Sequence, residues 1–276
     1  MIRAGDRWAV AVRRPDGAVV AEGAAVPPWA GLGRRLPLVR GAVALVVTVA
    51  LGLRALGWSR RMTGERPETA GTRAAVAGAT ALSLTVFVTL FALLPAAAAR
   101  LLGADGVAFA LLEALVRVGL LVGYVAAIGR LPGIARTYAY HGAEHAAVSA
   151  FEAGAPLTVA GVGAFGPRHA RCGTDFLVLS AVVAVAVFAL ATPPGWAGLL
   201  ASRVLLLPAV AGVAYELLRL AARPTPGRIL APLLAPGMAV QRLTTRPFGE
   251  AEAEVALAAL TTALGSTAPA TGAAGG

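Results

Sequence analysis

The chain has 276 residues, of which 58% are hydrophobic and only 14% charged, and its mean hydropathy is +0.75. Ordinary soluble domains carry roughly 25% charged residues, so this composition excludes that class and predicts an integral membrane protein. The net charge of +10 comes from 24 basic residues, all of them arginine, which lie between apolar segments. Because they do not form one patch interleaved with aromatic residues, they argue against nucleic-acid binding and indicate how a membrane protein is oriented.

The N-terminal region, residues 1–72, is predicted to be cytoplasmic and to contain no membrane span. The segments WAVAVR and AVVAE flank RRPDG, whose Pro-Asp-Gly is a turn signal, so a small β-hairpin is expected. The apolar segment at residues 41–58 could cross the bilayer only by moving seven arginines to the outer side, against the positive-inside rule. We therefore predict an interfacial or re-entrant helix there, with Arg54 and Trp58 at headgroup level.

Four windows of mostly apolar residues predict transmembrane helices, at residues 73–94, 106–129, 176–191 and 199–220. The third window is short unless it begins near Gly173. Arginines are frequent before the first window, between the second and third, and after the fourth, whereas the two loops on the other side hold only Arg100. The positive-inside rule then places the N-terminus, the central loop and the C-terminus in the cytoplasm.

The expected fold is mainly α: an integral membrane bundle of about four transmembrane helices, with a cytoplasmic helix-plus-loop insertion and a small N-terminal β-hairpin. The membrane domain covers residues 73–220 and includes a cytoplasmic motif region at residues 130–175. A cytoplasmic C-terminal segment, residues 221–264, contains RILAPLLAPGMAV, which is too short and too rich in proline to span, and then an amphipathic surface helix from residue 250. Residues 265–276 are predicted to be a disordered tail.

Charged residues inside the predicted spans are costly in hydrocarbon, so each needs a partner or a function. Glu113 and Arg117 lie one helical turn apart and are expected to pair. Arg203 is expected to reach the outer interface by snorkelling. Two interpretations remain open for Glu216: it pairs with Arg219, or it joins a site on the cytoplasmic side.

The stretch YAYHGAEHAAVSAFEAG holds two of the chain's three histidines, on a helix predicted at residues 134–153. His141, Glu144, His145 and Glu152 share one stripe about 100° wide on this helix, opposite a face of alanines. Two histidines four residues apart can face one metal ion, and a nearby carboxylate can be a ligand, a partner of a ligand or a general base. The order H-x-x-E-H is that of the inverzincin motif, although a solvated polar stripe is an equally simple interpretation.

The third histidine, His169, and the sole cysteine, Cys172, follow in the loop before the third predicted span. A cysteine just ahead of a helix start, near Arg168 and Arg171, has its thiolate form favoured. All histidines and the cysteine therefore lie within 32 residues of sequence. The simpler alternatives are a surface position for His169 and a small buried hydrophobic residue at Cys172.

Several motifs follow one another along the chain: YHGAEH with Glu152, an LTV strand at residues 157–159, RCGT before a span, RVLLLPAVAGVAYELLRL, and PGMAVQRLTTRPFGEAEAEVALAAL. Together they resemble the YqhQ-like family of bacterial multipass membrane proteins, described as predicted metal-dependent enzymes of unknown reaction. The resemblance covers most of the chain and implies a location in the bacterial inner membrane. It also implies a shared surface of seven residues: His141, Glu144, His145, Glu152, His169, Arg171 and Cys172.

The chain departs from the family pattern in two respects. A Gly-Gly-Gln-Ala segment with a following Glu-Gly usually opens the family and is absent here, so a truncated or shortened member is expected. Asp175 and Ala146 stand where a serine and a lysine are usual, which leaves any role of these two positions open.

The sequence therefore predicts a cytoplasm-facing site for a divalent metal ion, zinc, in a metal-dependent hydrolase. Its ligands are expected among His141, His145, His169 and Cys172. Glu144 or Glu152 is the expected base, and the position at the membrane suggests a substrate that is lipid-linked or a membrane protein. The alternative is a non-catalytic scaffold or accessory subunit that binds another membrane protein through the same surface, with the lipid bilayer as a partner in either case.

Overall fold

The structure is a computed structural model of the chain, and it describes residues 1–31, 36–64, 70–169, 172–191, 193, 195–221 and 224–265. These residues are mainly helical, with a small antiparallel sheet at the N-terminus. Apolar helices form a bundle, and the sheet packs with helices from the centre and the C-terminal end of the chain. The candidate site lies where these two parts meet.

Strands β1 (Ile2–Ala4), β2 (Arg7–Arg13) and β3 (Val19–Ala25) form the sheet in that order. The predicted hairpin is β2 and β3, which pair along the whole length of both strands. Its turn contains Gly17 with a φ of +88°, a conformation that glycine adopts without strain. The prediction of a hairpin is therefore correct, and β1 adds a third strand that was too short for its pattern to be recognised.

Helix α1 (Val39–Met62) contains the predicted segment 41–58 and has two different apolar sides. The side against the sheet packs on Trp8 and Val10 through Val47, Leu51, Ala55 and Trp58. The other side exposes Leu45, Val46, Val49, Leu53 and Leu56. By length and composition α1 is able to cross a membrane, and its interfacial location stays a prediction.

A continuous helical run follows, made of α2 (Ala70–Val88), a π-helical turn (Thr89–Leu93) and α3 (Leu94–Leu101). The part Ala74–Leu101 is long and apolar enough to cross a membrane, and so is α4 (Gly106–Ile128). The first two predicted spans are thus present as long apolar helices.

The π-helical turn has a local cause at Pro95. Proline has no N–H, so the carbonyl of Phe91, four residues earlier, loses its helical donor. The Nε of Arg117 on α4 donates to this carbonyl instead, at 2.9 Å. The irregular turn is therefore tied to the neighbouring helix.

Helix α5 (Pro132–Glu152) is the predicted histidine helix, and it starts with a proline in the first turn, where no intrahelical N–H is needed. No strand forms at residues 157–159, so that prediction is wrong: Leu157 and Thr158 precede helix α6 (Val159–Gly163). The hydroxyl of Thr158 accepts a hydrogen bond from the N–H of Gly161 at 3.1 Å. The threonine thus caps a short helix instead of extending a strand.

Helix α7 (Gly173–Ala189) corresponds to the third predicted span and, with 17 residues, is shorter than a full span. The fourth predicted span is not one straight helix, because α8 (Trp196–Leu205) and α9 (Leu207–Ala221) meet at an angle of 40°. Pro208 accounts for the bend, since it cannot donate to the carbonyl four residues earlier. The described residues therefore contain three helices able to span a membrane by length and composition, or four if the bent pair is one span.

Helix α10 (Pro224–Thr244) was not predicted, and it continues through two internal prolines. It packs against α4, α7 and α9. Helix α11 (Glu250–Leu264) has the predicted bounds, but it is largely buried against the sheet and α5 and is not a surface helix. Of the predicted tail, only Gly265 belongs to the described residues.

Three charged side chains meet inside the apolar bundle. The predicted pair is confirmed, since Arg117 Nη2 lies 2.5 Å from Glu113 Oε1. Arg203 is fully buried and donates to both oxygens of Glu113, at 3.0 and 2.7 Å, so the prediction that it snorkels is wrong. The guanidinium stays inside because the Ala191 carbonyl also accepts from it at 2.9 Å and the ring of Phe188 lies 4.8 Å away.

Glu216 lies where α9 crosses α1, away from the candidate site. Its carboxylate pairs with Arg40 through two hydrogen bonds, so its partner is neither Arg219 nor the histidine region. The two helices approach closely at Gly41 and Gly212, where a Cβ on Gly41 would lie 2.8 Å from the Cα of Gly212. The sequence interpretations missed this contact because Arg40 is 176 residues distant along the chain.

Candidate metal centre

The candidate centre lies between α5, the loop before α7 and the end of α10. His141 and His145 are one turn apart on α5, with their ring centroids 4.3 Å apart. Cys172, the N-cap residue of α7, is buried beside them. One ligand atom from each of the three lies within 4.8 Å of the others. The structure thus brings together three of the four residues that the sequence analysis named as ligands.

Backbone carbonyls orient both imidazoles. The Nδ1 of His141 lies 2.8 Å from the carbonyl oxygen of Thr244, and the Nδ1 of His145 lies 2.9 Å from that of Pro167. A carbonyl only accepts hydrogen bonds, so each Nδ1 carries the proton and donates it. Nε2 is therefore the nitrogen of each ring that is left to bind a metal ion, which displaces any proton that it carries.

Cys172 has an environment that favours the thiolate. Its Sγ lies 3.3 Å from His141 Nε2 and accepts from the N–H of Thr174 at 3.3 Å. Burial opposes ionisation of the thiol, but hydrogen bonds with His141, His145 and Thr174 outweigh it and lower the pKa of Cys172 from 9.0 to about 5. Burial likewise opposes the charged form of His141, yet the bond to Cys172 raises the pKa of that imidazole. The sulfur is therefore ionised at neutral pH, as a metal ligand must be.

Gln241 on α10 connects the site loop to α7. Its side chain is fully buried. Its Oε1 accepts from the N–H of His169 at 3.1 Å, while its Nε2 donates to the carbonyl of His169 and to Asp175 Oδ1, both at 2.8 Å. Two of these bonds hold the loop that carries His169 and leads to Cys172, and the third ties Gln241 to α7.

Gly237, one turn before Gln241, allows this arrangement. A Cβ at Gly237 would lie 2.6 Å from Asp175 Oδ1 and 2.9 Å from Asp175 Cα. Such distances are shorter than van der Waals contact, so only glycine lets α10 approach α7 this closely. Sequence analysis did not identify Gln241, Gly237 or Thr244 as part of the site. Their only signal was membership of the PGMAVQRLTT motif, which carried no cue to its position in space.

The remaining predicted residues surround the three-residue cluster. His169 Nε2 lies 3.1 Å from Glu152 Oε2, and its ring centroid is 6.0 Å from that of His145. His169 is therefore next to the cluster, while Cys172 belongs to it. Glu144 Oε2 lies 3.4 Å from the backbone nitrogen of Met1. Arg171 lies outside the described residues.

A cavity of about 300 Å³ opens onto this cluster. It is lined by all of the predicted ligands and bases that the structure describes, namely His141, Glu144, His145, Glu152, His169 and Cys172. Two imidazoles, a thiolate, two carboxylates and a third imidazole thus face one space, which combines metal donors with groups that transfer protons.

Comparison with known proteins gives two matches. A family model described as "Protein of unknown function (DUF1385)" matches residues 36–266. The chain is also 30% identical over 273 residues to the "Uncharacterized protein YqhQ" of Bacillus subtilis (strain 168), covering 91% of this chain and 84% of that protein.

The chain belongs to the DUF1385 family. The match includes every residue of the candidate centre, whereas the N-terminal sheet lies before it. No solved structure matches the chain. Membership of the DUF1385 family thus agrees with the resemblance noted from the sequence motifs, and the chemistry has to be inferred from the site itself.

Proposed function

We propose that this protein holds a zinc ion through His141, His145 and Cys172 on the cytoplasmic side of a bacterial inner membrane, and that it is a metal-dependent hydrolase. The observation that carries the proposal is the convergence of two imidazoles and one thiolate within 4.8 Å. The chain has only three histidines and one cysteine, so a chance meeting of three of them is improbable.

The donor set fits a zinc ion. Histidine nitrogen and cysteine sulfur bind zinc at ~2.0–2.3 Å, so donors in a tetrahedral site lie about 3.5 Å apart. The 3.3 Å between His141 Nε2 and Cys172 Sγ is close to that separation. The Nδ1–H groups that donate to backbone carbonyls are the supporting bonds expected of ligating histidines.

Three protein donors leave one coordination position open, as catalytic zinc sites do. A divalent ion held there supplies a Lewis acid at the wall of the cavity. Glu144 faces the same cavity, and its carboxylate oxygens can accept the proton of an attacking water molecule. Glu152 is hydrogen-bonded to His169. The contact of Glu144 with the Met1 nitrogen is longer, at 3.4 Å, than the 3.1 Å contact of Glu152 with His169. We therefore assign proton acceptance to Glu144, and to Glu152 the orientation of His169.

Helix α1 lies in the membrane interface in this proposal, although it is long enough to span. The sheet follows α1 along most of its length, from Val43 to Met62. Edge strands have unpaired backbone groups, which hydrocarbon does not tolerate, so the sheet has to lie outside the bilayer core. The opposite, exposed apolar side of α1 then contacts lipid. Together with the arginines that lie before the first span and after the fourth, this placement supports cytoplasmic N- and C-terminal segments.

Metal analysis of the purified protein tests the proposal. Mass spectrometry of wild type is expected to find about one zinc per chain, and almost none in a His141→Ala/His145→Ala variant. His169→Ala serves as the matched control and should keep its metal, since His169 lies outside the cluster. Near-zero metal in the wild type would remove the proposal.

One observation favours the alternative of a scaffold. The side chains of α2 between residues 74 and 86 are exposed, and among the described residues α2 makes extensive contact only with the π-helical turn that continues it. This helix has surface available for another membrane protein. A partner that co-purifies in equal amounts with wild type and with His141→Ala would support a scaffold, and an isolated chain with bound zinc would argue against it.

A further inference from the structure

A second cavity lies on the other side of Glu144. Its volume is about 310 Å³, and β1, β2, the end of α1, α5 and α11 form its walls. Much of its lining is apolar: Ile2, Ala11, Val12, Val255, Ala256 and Ala259. Glu144 lines both this cavity and the one that contains the metal donors. A molecule bound in the second cavity would therefore contact Glu144, the proposed base, at one of its ends.

Two arginines line this cavity, and Glu254 offsets the charge of one of them. Arg13 is held in place by the Gly17 carbonyl at 2.9 Å and by Glu254 at 2.6 Å. Arg136 is exposed, with its guanidinium 5.9 Å from the ring of Tyr140. Within the described part of the chain, no carboxylate pairs with Arg136. Its charge is available to a ligand.

The spacing on α5 relates Arg136 to Glu144, the proposed base. Arg136, Tyr140 and Glu144 follow one another at intervals of four residues, so they lie along one face of the helix. At a rise of 1.5 Å per residue, Arg136 is about 12 Å from Glu144 along the axis. An anion at Arg136 would be too far away to be the reacting group. It would serve as a remote contact that positions the reacting part.

The cavity also lies at the membrane interface, where the proposed function places α1. Ser59 and Thr63, at the end of α1, line the cavity, whereas the apolar residues on the other side of α1 are exposed. A molecule that leaves the inner leaflet beside this end of α1 would meet the arginines with its headgroup and the apolar floor with its chain.

We infer that the second cavity binds an amphiphile that carries a phosphate-type anion on an apolar body, a lipid of the inner leaflet. Arg136 binds the anion, because a guanidinium matches phosphate geometry with paired hydrogen bonds. The apolar lining contacts the carbons next to the anion. The bond that would be hydrolysed lies beyond Glu144, toward the metal donors. The role in hydrolysis rests on the proposed metal centre, and the choice of a lipid rests on the proposed placement of α1; binding of the anion needs neither.

Binding measurements on the purified full-length protein in non-ionic detergent test this inference. The probes are dioctanoyl phosphatidic acid, dioctanoylglycerol, which lacks the anion, and inorganic phosphate, which lacks the apolar body. We expect phosphatidic acid to bind at least about ten-fold more tightly than either of the others. Arg136→Gln should weaken its binding about ten-fold, and Arg136→Lys by less, since lysine keeps the charge but loses the paired geometry.

Arg54→Gln is the matched control, because Arg54 is an exposed arginine of α1 that does not line the cavity. An equal loss in Arg54→Gln and Arg136→Gln would show general attraction to a basic surface and overturn the inference. Equal affinity for inorganic phosphate would overturn the lipid as the source of the anion. The His141→Ala/His145→Ala variant separates the two proposals, because it should lose zinc but bind phosphatidic acid like the wild type. If the wild type bound zinc but no phosphatidic acid, this inference alone would be refuted.

Discussion

Thr244 fixes the orientation of His141 from 103 residues away along the chain, through a hydrogen bond of 2.8 Å between its carbonyl oxygen and the imidazole Nδ1. This contact joins the last residue of α10 to the middle of α5. The carbonyl accepts the proton of Nδ1, and Nε2 is therefore the nitrogen that faces Cys172. The end of α10 is therefore part of the candidate metal centre, although it offers no ligand.

Gln241 should be needed for metal affinity even though it does not touch the metal donors. Gln241→Leu removes four hydrogen bonds, two of them to the part-buried backbone of His169. We expect zinc affinity to fall about 10- to 100-fold, as for other residues that support ligands. Competition with a fluorescent chelator measures the change. Leu243→Met, at an exposed position of α10 two residues further on, is the control and should bind zinc normally. Equal affinity in Gln241→Leu and wild type would contradict the role of this amide.

Gly237 should not tolerate a side chain. Gly237→Ala places a methyl group 2.9 Å from the Cα of Asp175, so α10 and α7 have to separate. We expect a loss of stability of about 1–3 kcal/mol, together with a lower zinc content. Gly133→Ala is the matched control, since nothing lies within 4 Å of a Cβ at that helical position. Thermal unfolding in detergent compares the two, and equal melting temperatures would refute the close approach.

The buried charges in the bundle predict which of two substitutions destabilises the protein more. Glu113→Gln leaves Arg117 and Arg203 buried without a carboxylate and should cost about 3–5 kcal/mol. Arg203→Met should be milder, because it leaves a balanced pair of Glu113 and Arg117. Intrinsic fluorescence during heating measures both variants, with Arg54→Gln as the neutral control. A Glu113→Gln variant that melts at a higher temperature than Arg203→Met would contradict this account of the cluster.

The thiol of Cys172 should react at a rate that hardly changes with pH. With a pKa of about 5 instead of 9.0, the sulfur is fully ionised from about pH 6 upward. Iodoacetamide should therefore alkylate the metal-free protein at a constant rate between about pH 6 and 8. Cys172 is the only cysteine, so mass spectrometry reads its modification directly. In His141→Ala the rate should rise with pH; a rate in the wild type that rises about ten-fold per pH unit would show an ordinary thiol.

Local patterns predicted much of the fold because the decisive forces act within one helix or hairpin. The turn signal before β3, the apolar windows of α4 and α7, and the bounds of α11 all depend on neighbouring residues. The predictions that failed depended on distant partners. Arg203 does not snorkel because Glu113 lies beside it in space, and Glu216 pairs with Arg40 rather than with a neighbour on its own helix.

The same distinction holds for the candidate site. Helical spacing placed His141, Glu144 and His145 on one face. This inference needs only the rise and the rotation per residue of an α-helix. The choice between His169 and Cys172 needed the path of a loop, which Gln241 fixes through side-chain bonds to its backbone. Nothing in the sequence marks which buried amide will bind which loop, so the supporting residues became visible only in the structure.

X-ray absorption at the zinc edge of the purified wild-type protein tests the central claim most directly. The account predicts two nitrogen neighbours at ~2.0–2.1 Å and one sulfur neighbour at ~2.3 Å, and the sulfur contribution should vanish in Cys172→Ser. A wild-type spectrum with only oxygen and nitrogen neighbours, unchanged by that substitution, would contradict a metal centre built from His141, His145 and Cys172.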